Sequence, residues 1–66
     1  MRIWINGKSH ELPEPASVHD ALTALGAPST GVAVAVDDEL VPRADWARYR
    51  LAADAKVEVL TAVQGG

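Results

Sequence analysis

The sequence predicts an α+β domain, a mixed sheet of four to five strands with one short helix packed across one face. Three observations carry this. Arg2–Asn6 and Lys56–Thr61 alternate polar and apolar residues with the two-residue period of half-buried strands. Ser17–Leu25 places Val18, Ala21, Leu22 and Leu25 at helical spacing between a capping residue and a glycine. Asn6-Gly7 joins the first strand to the segment after it with the strongest short hairpin signal. A chain of 66 residues is enough for one such domain and no second.

In the first strand Ile3 and Ile5 share one face and Arg2 and Trp4 the other. Asn6 and Gly7 tolerate the positive φ that both central positions of a type I′ turn require. Lys8–Leu12 is the return strand, at an edge, ended by Pro13 and Pro15. Ser17 reads as the helix N-cap, with Asp20 in the capping-box position and suited to the positive end of the helix dipole. Gly26 supplies the left-handed C-terminal residue and Pro28 prevents continuation. So short a helix is not stable alone and needs the sheet. Gly31–Val36 follows as a strand with valines on one face and alanines on the other. Asp37-Asp38-Glu39 reads as its turn, and Leu40-Val41-Pro42 as a short strand that proline confines to an edge. Ala44–Tyr49 reads as a helical turn in the connection to the last strand.

A hairpin leading into a helix that crosses one face, followed by further strands, is similar to the β-grasp arrangement of ubiquitin-like domains. On the connection rules the last strand can pair beside the first, at the sheet centre. The domain is then 1–61, and 62–66 a flexible Gly-Gly tail leaving the middle of the sheet. Ile3, Ile5, Val57, Val59 and the third-strand valines go under the helix. Trp4, Glu58 and Leu60 share the open face, where an exposed Trp beside an exposed Leu marks a partner surface. The alternative is that they pack against the 44–55 connection.

Composition narrows the function. The net charge is −3, which disfavours nucleic acid and anionic membranes as partners. No apolar run approaches membrane-spanning length, and the N-terminus lacks a signal-peptide pattern, so a cytoplasmic domain is expected. The absence of cysteine removes disulfides and thiol chemistry. His10 and His19 show no ligand spacing, and Asp37-Asp38-Glu39 lacks the loop of a calcium site, so no metal is expected. Arg43, Arg48 and Arg50 lie near Trp46 and Tyr49, but pairing with Asp45 or Asp54 accounts for them better than nucleic acid does. No glycine-flanked nucleophile or phosphate loop is present, so the chain is not expected to be an enzyme by itself.

The remaining signal is the end of the sequence, Ala62-Val63-Gln64-Gly65-Gly66. Two terminal glycines occur by chance in roughly one chain in 200, and a frayed end is the plain alternative. Together with Gly31–Val36, Val41-Pro42-Arg43 and Trp46, this end closely resembles the small sulfur-carrier proteins of thiamin biosynthesis, the ThiS family. The likeness spans essentially the whole chain, the Asn6-Gly7 hairpin and the Ser17–Leu25 helix included. Two departures are visible. Family members often carry Asn or Gly where this chain has Asp37-Asp38, and Gly where it has Ala53-Asp54-Ala55.

The resemblance implies that the Gly66 carboxylate is adenylated by a ubiquitin-activating-like adenylyltransferase, which uses ATP while the chain itself binds no cofactor. Sulfur, from a donor such as a cysteine desulfurase, then gives a thiocarboxylate that thiazole synthase consumes. Ala62, Val63, Gln64 and Gly65 become the partner-binding tail, and Trp4, Leu60 and Arg43 the candidate partner-binding surface of a chain expected to be a monomer when free. Glycine lets the tail thread a narrow channel, and five residues reach roughly 16–18 Å. Three rivals remain: a molybdopterin-synthase small subunit, a ubiquitin-like modifier, and a β-grasp interaction module whose tail is inert.

Overall fold

A computed structural model of the chain describes residues 1–27 and 30–61. Its elements are β1 (Arg2–Ile5), β2 (Lys8–Glu11), α1 (Val18–Leu25), β3 (Val32–Val36), β4 (Glu39–Val41) and β5 (Lys56–Thr61), with a 3₁₀ turn at Arg43–Asp45. The five strands form one mixed sheet in the order β2-β1-β5-β3-β4. β5 lies at its centre, parallel to β1 and antiparallel to β3. This is the β-grasp arrangement. No described helix is long and apolar enough to cross a membrane.

The alternation of the strands decides what lies inside. Ile3, Ile5, Val34, Val36, Val57 and Val59 are buried, and α1 packs Val18, Ala21 and Leu22 into the same core. Each such aliphatic side chain contributes about 1.5–3 kcal/mol when removed from water. Leu25 departs from the helical-face expectation. It is the last residue of the helix, 38% exposed, at the point where the chain turns away from the sheet. Val32, at the start of β3, is likewise only half-buried.

Both ends of α1 are built as the sequence indicates. Asp20 N–H donates to Ser17 Oγ at 3.2 Å, and Ser17 N–H donates to Asp20 Oδ2 at 2.9 Å, a reciprocal capping box. Gly26 closes the helix at φ 76°, and Pro28 lies outside the described residues. The two remaining orphan donors of the first turn are met from the 43–55 connection: Val18 N–H donates to Tyr49 O at 3.0 Å and His19 N–H to Trp46 O at 3.2 Å. The connection is therefore a wall of the core. Trp46, Leu51 and Ala55 are all buried, and Trp46 Nε1–H donates to Val41 O at 3.0 Å.

The capping box makes stability depend on pH. The Ser17 backbone N–H holds the Asp20 carboxyl below its ordinary value of 3.8. A carboxyl lowered in the folded state stabilises fully above 3.8, and that contribution is lost as pH falls through the folded value. Asp20→Asn keeps an acceptor oxygen but cannot titrate. Acid denaturation followed by circular dichroism is expected to show a shallower loss of stability below 3.8 in this variant than in the parent chain.

The turns refine the sequence reading at two places. The β3–β4 turn consists of Asp37 and Asp38 alone, at φ 49° and 71°, so Glu39 begins β4 and Pro42 falls outside it. Asp37 also ties the hairpin to the central strand: its N–H donates to Lys56 O at 2.8 Å, and its Oδ1 accepts from Lys56 N–H at 3.0 Å. The helical turn starts one residue early, at Arg43, and continues with Arg48 and Tyr49 N–H groups both donating to Asp45 O. Asp54, where the resembling family often has glycine, adopts φ 65°. An aspartate accepts that left-handed conformation at a cost glycine does not bear.

Candidate functional site

A presented tail would begin at the end of the central strand: β5 has β1 beside its start and β3 beside it as far as Thr61, where it ends. The buried side of β5 holds Val57 and Val59, which leaves Lys56, Glu58 and Leu60 on the face away from α1. Directly opposite on β3 stand Ala35 beside Glu58 and Ala33 beside Leu60, and Leu40 on β4 stands opposite Ala35. Cross-strand partners share a face. Leu60, Ala33, Ala35 and Leu40 therefore form an apolar strip over three strands, with Leu60 64% and Leu40 70% exposed.

Leu40 is absent from the sequence-based candidates. The signal for it is the two-residue turn: with Asp37 and Asp38 as the only loop positions, the register of a tight hairpin places Leu40 opposite Ala35 on the alanine face.

Trp4 shares this face but does not stand beside Leu60. It pairs with Lys56, four residues earlier on β5, a separation of roughly 13 Å along the strand. Trp4 is half-buried, with the Arg2 guanidinium carbon 6.0 Å from its ring centroid. Its surroundings are polar. A groove of about 540 Å³ is lined by Trp4, Gly7, Asp38, Asp54, Lys56, Val57 and Glu58. The face thus has an apolar end at Leu60 and a charged end at Trp4, with Leu40 level with Glu58 between them. Trp4 shares that groove with Asp54 of the connection, whereas both leucines remain largely exposed.

Arg43 is exposed in the 3₁₀ turn just past β4. β4 and β5 run in the same direction, both antiparallel to β3, so Arg43 lies at the end of the sheet where β5 also finishes. It makes no ion pair among the described residues, whereas Arg48 pairs with Asp45. Leu60 and Arg43 thus lie toward the end of the sheet where residue 62 follows, and Leu40 stands level with Glu58, two β5 positions before Leu60. Ala62, Val63, Gln64, Gly65 and Gly66 themselves lie outside the described residues.

Asn6 makes a further contact that its role as a turn residue does not require. Val59 N–H donates to Asn6 Oδ1 at 2.9 Å, and Asn6 Nδ2 donates to Val59 O at 3.3 Å. Among the described residues no cluster of three or more His, Cys, Asp or Glu side chains is placed to hold a metal ion.

Comparison with known proteins agrees with this architecture. The sequence model of the ThiS family matches residues 3–66. A crystal structure of a thiamine biosynthesis protein (ThiS) from Geobacter metallireducens superimposes with TM-score 0.82 at 26% identity, covering all of both chains. A solution structure of a thiamine biosynthesis protein from the same organism gives TM-score 0.77 at 28% identity, over all of this chain and 88% of the other. No match is found among functionally described proteins at the sequence level.

Proposed function

This chain belongs to the ThiS family, and from that premise we propose that it is a sulfur carrier of thiamin biosynthesis whose Gly66 carboxylate is the loading site. The observation that carries the reading is the extent of the family match, which runs through residue 66 and so takes in the Gly-Gly pair. The open face supports it. A central strand that ends beside an exposed apolar strip gives a partner something to grip while residues 62–66 enter its active site.

The chemistry proceeds from the carboxylate. With a pKa of about 3.5 it is ionised at neutral pH and is a poor electrophile. An adenylyltransferase joins it to AMP from ATP and releases pyrophosphate, which makes the carbonyl carbon open to attack. The outer sulfur of a persulfide, on a donor such as a cysteine desulfurase, attacks that carbon and displaces AMP; a thiol then reduces the S–S bond of the resulting acyl disulfide, leaving as a disulfide itself and freeing a thiocarboxylate. This is a soft nucleophile, which thiazole synthase uses as its sulfur source. The chain is a protein co-substrate in both steps, acting in the cytoplasm and binding no cofactor of its own. Leu60, Leu40, Arg43 and Trp4 serve as docking residues.

The test is the intact mass of the chain after incubation with ATP, the adenylating partner and a sulfur donor. A fraction heavier by the exchange of one oxygen for sulfur, localised to Gly66, is expected. Stable conjugates to lysines through Gly66 would instead establish a ubiquitin-like modifier. An unchanged mass, where a ThiS protein of known activity loads under the same conditions, would leave an interaction module with an inert tail.

A further inference from the structure

We propose that Asn6 is a positioning residue: its side chain fastens the last part of β5 on the β1 side, opposite its pairing with β3, and so fixes the point from which residues 62–66 are presented. The inference rests on the carrier reading above.

The geometry begins with a gap in the sheet. β1 pairs with β5 only at Trp4–Lys56 and Ile5–Val57, while β5 continues to Thr61. The ladder on this side runs from Trp4 N–H to Ala55 O and from Asn6 N–H to Val57 O, both 2.9 Å. The next rung belongs to Val59. In an extended strand one residue's N–H and C=O point to the same side, so both Val59 groups face the position where β1 would continue. The main chain has already turned away there, at φ 51° for Asn6 and 83° for Gly7. The Asn6 carboxamide, chemically a peptide group, fills the gap: its Oδ1 accepts from Val59 N–H and its Nδ2 donates to Val59 O.

The residue type separates this role from the turn. Glycine, aspartate and asparagine all tolerate the positive φ of the turn. Only asparagine offers a donor and an acceptor together. Aspartate keeps the acceptor for Val59 N–H but sets a carboxylate against Val59 O, and glycine keeps neither bond.

The consequence falls on the tail. Val59 is two residues from the end of β5. Freed on its β1 side, 59–61 is held by its pairing with β3 alone, Val34–Val59, Ala33–Leu60 and Val32–Thr61, and the tail root loses the second anchor that fixes its position across the sheet. A reacting carboxylate must be held near attack geometry, and a misplacement of about 1 Å can cost 100-fold in rate.

The experiment compares the chain with Asn6→Gly and Asn6→Asp as substrates of the purified adenylating partner with ATP, and follows amide exchange by NMR. Asn6→Gly is expected to lower kcat by about tenfold while KM changes less than about twofold. Asn6→Asp is expected to fall between. Val59 N–H should exchange at least tenfold faster in Asn6→Gly, with the Asn6 N–H to Val57 O rung intact. Simple destabilisation has a different signature: the chain is the substrate, so a smaller folded fraction raises apparent KM and leaves kcat alone. Wild-type kcat in Asn6→Gly overturns the positioning role, and unchanged exchange at Val59 overturns the lock. If the parent chain is not adenylated at all, the carrier reading falls and this inference with it. A parent chain that is adenylated beside an unaffected Asn6→Gly variant sinks this inference alone.

Discussion

Gly66→Ala, or one residue added after Gly66, is expected to abolish sulfur loading while leaving the fold unchanged. Among the described residues the last buried position of β5 is Val59, and Leu60 and Thr61 are exposed. Neither change removes a contact from the buried core, so thermal denaturation should superimpose on that of the parent chain. The reaction is far less forgiving. With loading at Gly66 as proposed, an alanine there would bring a Cβ next to the reacting carbonyl and restrict φ in a segment that has to thread a partner's channel. An added residue moves the carboxylate by about 3.5 Å, well past the displacement at which rate falls 100-fold. The mass assay should therefore show no sulfur-bearing fraction in either variant. Normal loading of the extended form would show that Gly66 is not the reacting residue, and would return the choice to a binding module whose face does the work.

The elements with local signals were legible in the sequence. The capping box at Ser17 and Asp20, the left-handed Gly26 and the Asn6-Gly7 turn are each fixed by residues close in sequence, and each stands where they place it. The central position of β5 followed from connection rules rather than periodicity, and the parallel pairing with β1 bears it out. What escaped depends on long-range registration. Trp4 and Leu60 share a face by alternation, but their separation along it depends on which β5 residue pairs with Trp4. Leu40 was hidden because the run Asp37-Asp38-Glu39 reads as a three-residue turn; the observed two-residue turn carries the strand one position further. The bond between Asn6 and Val59 joins residues 53 positions apart and has no local signature. The same holds for Trp46 and Tyr49, whose carbonyls complete the first turn of α1.

That last arrangement predicts the largest effect on stability. Trp46→Ala is expected to unfold most of the molecule at room temperature. Trp46 is only 4% exposed, although it lies in the irregular connection, and its side chain reaches back to the end of β4. Removing a buried tryptophan costs about 3–5 kcal/mol. The Val41 carbonyl, which now accepts from Nε1–H, would be left without that donor at a further cost of about 1–3 kcal/mol. The turn that presents Trp46 O to His19 N–H would also lose its anchor, exposing the start of α1. Against this stands a total stability of roughly 3–10 kcal/mol for a domain of this length, at about 0.05–0.15 kcal/mol per residue. Trp46→Phe separates volume from hydrogen bonding: most of the ring remains and the N–H is lost. It should lower Tm by about 5–15 °C, since in a domain of this size 1 kcal/mol corresponds to about 4–8 °C. Circular dichroism during heating and urea titration distinguishes the variants. A Trp46→Ala protein that melts within a few degrees of the parent would mean that the connection is a detachable loop, with α1 and the sheet sufficient without it. The expected outcome makes Trp46 a residue of the fold, in contrast to Pro42 and Arg43 of the same Val41-Pro42-Arg43 and Trp46 group, which are exposed.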